Sequence, residues 1–367
     1  MNALIQSEAI RFESKQPAPA VHEVPARWQG KLVTLAHGAG GRAMRELITE
    51  LIAPTFDNPL LAPLEDQAQI AAAQLPVGAS LAFTTDSYVV SPIFFPGGDI
   101  GKLAVCGTVN DLAVGGAWPR WLSCGLILEE GLPIEVLCRV LANMAAAARE
   151  AGVEIVTGDT KVVGRGAADG IFINTAGIGT IPLGRRTGAA GVRPGDKLVV
   201  NGTLGDHGIA VMAARNDLAL HIPVHSDCAP LNGLVEAMFA AAPGLRWLRD
   251  CTRGGLATVA NEFADEGGFS LHLEEAALPV ADAVRGACEI LGLDPLYLAN
   301  EGKLAALVAV EHCDALLAAM RAHPLGREAV VVGEVRAERA GLVVLRSRFG
   351  GERVVDLIDG EQLPRIC

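Results

Sequence analysis

Positive charge, aromatic rings and long apolar runs are all scarce in this chain. Lys and Arg number 30 against 42 Asp and Glu, for a formal net charge of −12. That balance argues against binding a phosphate backbone or an anionic membrane surface as the main business. Aromatic residues make up 4% of the chain and hydrophobic residues 50%, so the cores are built from Ala, Val, Leu and Ile. No apolar run reaches the ~20 residues that a membrane helix requires. Residues 1–16 mix Glu8, Arg11, Glu13 and Lys15 with apolar residues, unlike the unbroken apolar core of a signal peptide. These absences predict a soluble, cytoplasmic protein. None of the 8 cysteines falls in a C-x-x-C pair, and Cys106, Cys124, Cys138 and Cys288 sit inside apolar periodic segments. A disulfide framework or a structural zinc site does not fit that spacing, and these thiols read as inert core.

Cys367 is different. It is the last residue, in Gln362-Leu363-Pro364-Arg365-Ile366-Cys367, and prenylation needs three residues after the cysteine. A tail of about eight residues extends at most ~25–30 Å, enough to pass a covalently carried group between an active site and another protein. The competing reading is a frayed end that happens to close in Cys.

At 367 residues the chain is long enough for two domains, each with its own core. Residues 1–30 form an extension, Pro-rich over 17–25, without a clear period. Patterning then predicts strands over 31–36, 81–90, 121–128, 154–163 and 171–180, with helices over 42–52, 100–114 and 133–151 and a loop over 54–63. Gly184, Gly188, Gly191, Pro194 and Gly195 crowd into one stretch and mark a boundary between a domain over 31–183 and another over 184–357. In the second, strands are expected over 197–200, 269–273, 303–310, 329–335 and 342–345, and helices over 205–214, 226–242, 253–266, 280–291 and 313–321. Residues 358–367 form a mobile tail. The alternation suggests α+β layers, not one doubly wound sheet.

Four features carry chemistry. His37-Gly38-Ala39-Gly40-Gly41 lies between a predicted strand and helix. As a dinucleotide fingerprint it is weak, because no second strand ending in an acid follows. A Gly-rich turn before a helix can still cradle phosphate, and no P-loop exists anywhere. Asp66, Asp86, Asp111 and Asp159 form a spaced acidic set. Singly, each reads as a cap or turn residue; together they suit Mg²⁺ carrying a nucleotide triphosphate. Asp250-Cys251-Thr252-Arg253-Gly254-Gly255 places a cation and paired glycines before a helix. Glu301, in Asn300-Glu301-Gly302-Lys303, is either an exposed turn acid or a positioned base.

In order, HGAGG at 37–41, EDQA at 65–68, FTTDSYVV at 83–90, GTVNDLAVGGA at 107–117, GDTKVV at 158–163, DCTRGGL at 250–256, NEGK at 300–303 and PRIC at 364–367 resemble the HypE family of hydrogenase maturation proteins. The likeness runs from about Lys31 to Cys367. The internal motifs are shared with aminoimidazole ribonucleotide synthetase, selenophosphate synthetase and thiamine-monophosphate kinase; the PRIC ending is what separates this family from them. Selenophosphate synthetases carry their reactive residue near the N-terminus, and this chain has no Cys before Cys106.

The resemblance implies an α+β, two-domain aminoimidazole ribonucleotide synthetase-like fold. Its N-terminal sheet pairs into a dimeric β-barrel, followed by a C-terminal α/β sandwich and a flexible tail. It implies an ATP-dependent carbamoyl dehydratase that converts an S-carboxamide on Cys367 to a thiocyanate, the source of the cyanide ligands of [NiFe]-hydrogenase iron. By resemblance Cys367, Lys161 and Glu301 are catalytic. His37, Gly38, Gly40, Gly41, Asp86, Asn110, Asp111, Asp159, Thr160 and Arg253 hold ATP, and Asp66, Asp86, Asp111 and Asp159 hold Mg²⁺. The implied partners are a second copy of the chain, the carbamoyltransferase HypF and the HypC–HypD iron–cyanide assembly complex. Two other readings stay open: another ATP-dependent kinase or ligase of the superfamily, or a nucleotide-switched carrier without catalysis.

Overall fold

The structure, a computed structural model, describes residues 24–65, 67–215, 222–358 and 366; Asp66 and Cys367 lie outside the described residues. Two sheets organise the chain. The N-terminal one combines β1 (Ser80–Tyr88), β4 (Trp118–Glu129), β5 (Glu154–Val163) and β6 (Ile171–Ile181) in the order β1-β6-β4-β5; β2 (Phe94–Phe95) and β3 (Gly98–Asp99) form a separate hairpin. Only the β4–β5 pair is parallel. Preceding the sheet, α1 (Arg42–Leu47) runs through a π-turn, Ile48–Ile52, into α2 (Ala53–Thr55), three residues beyond the expected end. Pro54 is tolerated there because it falls in the first turn of the last segment.

Strand periodicity explains which face is covered. Helices α3 (Ile100–Val114) and α4 (Ile134–Ala151) lie on one side, where Leu103, Val109, Leu137 and Met144 meet Leu122, Leu126 and Ile173 in one core. Residues alternate across a strand, so Leu81, Phe83, Trp118 and Ile127 point the other way. They are 60%, 72%, 45% and 41% exposed, leaving an uncovered apolar face.

The second sheet contains β7 (Lys197–Val200), β8 (Leu245–Asp250), β9 (Ser270–Glu274), β10 (Leu304–Val308), β11 (Val330–Arg336), β12 (Val343–Arg346) and β13 (Glu352–Val354), ordered β13-β12-β9-β11-β7-β10-β8. It is buried on both faces. One packs on α7 (Gly255–Gly267) through Leu256 and Phe263; the other packs on α6 (Asn232–Ala241) and α9 (Cys313–Ala322) through Leu234, Met238, Leu316 and Met320. That is why β10 reads as an unbroken apolar run, Leu-Ala-Ala-Leu-Val. Helices α5 (Asp206–Ala214) and α8 (Asp282–Leu291) meet in a smaller cluster. Among the described residues no helix is long and apolar enough to cross a membrane.

Three sequence expectations need correction. The strand expected over 31–36 is a single bridge, Leu32 to Pro133, followed by a 3-10 turn over Leu35–Gly38. The helix expected from 226 begins only at Asn232, because Pro230 holds its predecessor extended and Ser226 and Asp227 spend their side chains elsewhere. Strand β8 escaped notice because Arg246 and Arg249 interrupt its apolar pattern at a sheet edge.

Candidate active site

Asn110, on α3, ties the two sheets together. Its amide donates to the carbonyls of Ala229 (3.1 Å) and Glu301 (3.2 Å), and its side-chain oxygen accepts from the Leu231 N–H at 2.7 Å. Both polar atoms of this buried side chain thereby have partners within the chain, whereas the sequence reading set Asn110 against ATP.

The turn that precedes β10 brings Glu301 to the same junction. Asp227 accepts the N–H groups of Glu301 and Gly302, both at 3.1 Å, and pairs with the Lys303 ammonium at 3.3 Å. Gly302 is required, since a Cβ there would run into the Asp227 carbonyl. Glu301 itself is 3% exposed, and its Oε1 has no hydrogen-bond partner among the described residues. Burial raises its pKa well above the usual carboxylate value, with Cys228, Asp227, Asp250 and Asp86 adding to the effect. A buried carboxyl with an unpartnered oxygen, beside other acids, is poised to bind or release a proton.

Asp86 and Asp111 open toward this junction from the covered side of the N-terminal sheet. The Thr84 hydroxyl donates to Asp111 Oδ2 at 3.0 Å, and the exposed Arg253 guanidinium stands 4.0 Å from Asp86. Burial pushes Asp111 up to about 6 and Asp250 up to about 7, with Asp111 and Asp86 contributing to the latter. Acids that raise one another's pKa form a site short of cations. No three acids, histidines or cysteines among the described residues close on one point as an all-protein metal cage would. That donor set fits Mg²⁺, which keeps waters and takes phosphate oxygens beside one or two carboxylates.

Asp159 does not join them. The register runs Ser87–Asn174–Gly125–Asp159 across the sheet, with Phe172–Ile127–Lys161 beside it, so Asp159 and Lys161 lie on the uncovered face. Asp86 pairs with the inward-facing Thr175 on the opposite face, and β1 and β5 are opposite sheet edges. The expected convergence of Asp86, Asp111 and Asp159 does not occur within one chain. Asp159 instead pairs with Lys161 at 2.8 Å, which holds its carboxyl below the usual range together with the Thr160 N–H. Thr160 itself is buried.

The 37–41 turn packs along β5, where a Cβ on Gly38 would stand 2.6 Å from the Val162 nitrogen. Gly40 has φ +76° and needs the left-handed freedom of glycine, while Gly41 has open space around its Cα. His37 caps the turn through one ring nitrogen: its Nδ1 accepts the Thr34 N–H at 2.9 Å and its ring lies 5.8 Å from that of Trp28. Under the turn, α1 and the π-turn border a cleft of about 440 Å³, with Met44, Ile52, Phe56 and Leu61 on one wall and Asp159 and Thr160 on the other.

The tail, expected to be mobile, has its penultimate residue docked. Ile366 is 4% exposed and packs in the same core as Phe95, Cys228 and Ala299. The sequence reading missed Asp227, Asp250 and His207. Asp250 stood in a motif already singled out, but Asp227 was hidden by the helix assigned to it, and nothing in the local pattern of His207 signals its partner 159 residues away.

Comparison with known proteins covers most of the chain. The AIR synthase related protein family matches twice, by its N-terminal domain over residues 65–181 and its C-terminal domain over 193–345. Carbamoyl dehydratase HypE of Rhodobacter capsulatus is 60% identical over 336 residues, covering 91% of this chain and 98% of that protein. The crystal structure of hydrogenase maturation protein HypE in complex with ATP superposes with a TM-score of 0.86 at 50% identity, covering 91% of this chain and 99% of the other. A HypE–HypF complex matches with a TM-score of 0.73 at 45% identity, covering 84% and 99% respectively.

Proposed function

Since this chain belongs to the HypE family of carbamoyl dehydratases, we propose that it uses ATP to dehydrate an S-carboxamide on Cys367 to a protein thiocyanate. The thiocyanate is the cyanide source for [NiFe]-hydrogenase iron. The observation that carries this reading is the burial of Ile366 with its carbonyl oxygen 2.9 Å from His207 Nε2; His207 in turn meets Ser226, next to the Asp227 that accepts the N–H of the buried Glu301.

The chemistry follows from what must leave. Amide oxygen is a poor leaving group, so it takes the γ-phosphoryl of ATP and departs as inorganic phosphate while the C≡N bond forms. Two protons leave the nitrogen, one of them departing with the phosphate as hydrogen phosphate. Glu301 accepts the other as general base, and its raised pKa suits that role near neutral pH. Mg²⁺, when bound, neutralises charge on the phosphates, and phosphoryl transfer needs little beyond such neutralisation and positioning. Asp86, Asp111 and Asp250 would hold it, with Arg253 toward the phosphates.

We assign the other half of the site to the second copy of the chain. The uncovered apolar face bearing Leu81 and Phe83 suits pairing with its own copy into a β-barrel. Asp159, Lys161 and the 37–41 turn lie on that face or beside it, and the 440 Å³ cleft next to Asp159 has a size and apolar lining suited to a nucleoside base. In this arrangement Lys161 of one chain offsets charge on the phosphoryl held by the acids of the other. Lys161→Ala and Asp86→Asn chains are each expected to be inactive alone, and mixed dimers to regain activity through one intact site. A mixture no more active than its components would put the site within a single chain.

HypF would load the carbamoyl group, and the HypC–HypD complex would take the cyanide, all in the cytoplasm. The test of the whole reading is intact mass. The chain should gain one carbamoyl group from its donor, then lose one water only when ATP is added. Nucleotide-independent loss of water, or none, would end it; a carrier without catalysis predicts no loss.

A further inference from the structure

The last carbonyl before Cys367 is held by a histidine. His207, buried in the first turn of α5, places Nε2 2.9 Å from the Ile366 carbonyl oxygen and Nδ1 2.8 Å from Ser226 Oγ. The Ser226 oxygen also accepts the Cys228 N–H at 3.1 Å, and the Phe95 ring meets the imidazole edge-on at 5.4 Å. A carbonyl can only accept, so Nε2 carries the proton. Nδ1 is then bare and accepts from the Ser226 hydroxyl, whose oxygen takes the Cys228 amide. All donors and acceptors are satisfied in this one tautomer of neutral imidazole. Burial lowers the pKa of His207 and favours that state, against the nearby charge of Asp227.

The same short segment serves Glu301. Ser226 orients His207, and its neighbour Asp227 accepts the N–H groups of Glu301 and Gly302. The tail's anchor and the base are therefore built on one framework, 226–228, and the carbonyl that His207 grips is bonded directly to the nitrogen of Cys367. We propose that His207 is a positioning residue for dehydration: by holding the Ile366 carbonyl it presents the S-carboxamide on Cys367 to Glu301. This rests on the function proposed above. His207 does not touch the reacting atoms, and the tail need not engage it while being loaded by a partner.

The test is single-turnover loss of water from the carbamoylated chain, read by intact mass, with ATP affinity measured alongside. His207→Phe keeps a ring against Phe95 but lacks the donor. Misplacement of a reacting group by about 1 Å costs on the order of 10²-fold, so dehydration should slow by about that factor while carbamoyl uptake and ATP affinity hold. His207→Gln, which can place an amide N–H near the Nε2 position, should recover most of the rate. A purely structural role predicts parallel losses in uptake, affinity and rate in both variants. That result, or wild-type dehydration in His207→Phe, overturns the proposal. A second measurement needs no substitution at His207: the imidazole Nε2–H proton resonance should be protected from exchange in the full chain and lose that protection when residues 366 and 367 are deleted. Persistence after deletion also overturns it. If unaltered carbamoylated protein fails to lose water with ATP, the proposed function fails, whereas the resonance still reports the anchor.

Discussion

Glu301→Gln is expected to accept the carbamoyl group, bind ATP and stop there, with loss of water slowed on the order of 10²–10⁴-fold. Glutamine keeps the size of the side chain, and the Asp227 bonds that hold this turn go to backbone N–H groups, so the fold should tolerate it. What it lacks is a site for the proton. The pH dependence follows from the environment. Burial and the neighbouring Cys228 and acids raise the Glu301 pKa, so the protonated form persists to higher pH than for an exposed glutamate. Only the ionised form is a base; the wild-type rate should therefore rise with pH through that raised pKa. In Glu301→Gln the residual rate should lose this rise. An unaltered rate, or an unaltered pH profile, would assign the base to another carboxylate or to water.

Cys367→Ala should remove carbamoyl uptake altogether while leaving ATP binding and thermal stability at wild-type levels. No other thiol is placed to take over. Cys106, Cys124, Cys228, Cys251, Cys288 and Cys313 are buried and Cys138 is half-buried. Burial pushes Cys124 up to about 12 and Cys138 and Cys288 to about 11, so almost no thiolate is present on them near neutral pH. The label from a radioactive carbamoyl donor should be absent from the variant under conditions that saturate the wild type. Its appearance at another cysteine, or at wild-type levels, would remove Cys367 as the carrier.

Local patterning determined much of this protein. The helix Ile100–Val114 and the strands Glu154–Val163 and Lys197–Val200 have the predicted bounds, because period and flanking glycines act over a few residues and compete with nothing distant. The identity of the family was legible too, since its motifs are short and keep their order. Where tertiary contacts outweigh local signals the reading fell short. The sequence did not reveal that His37 Nδ1 accepts the Thr34 N–H, nor that Asn110 ties its helix to the distant segments bearing Ala229, Leu231 and Glu301.

The acids mark the division most clearly. Spacing along the chain established that Asp86, Asp111 and Asp159 belong to elements able to carry a charged site. Which of them share a face depends on strand order and register, and these follow from packing between residues far apart in sequence. The order β1-β6-β4-β5 sends Asp159 and Lys161 to one face and edge, and Asp86 to the other. Likewise the sequence places Cys367 at the end of the PRIC motif. Only the folded chain, by burying Ile366 and satisfying its carbonyl with the Nε2–H of His207, decided where that end is held, because a buried backbone acceptor must find a donor and the donor lies in another element.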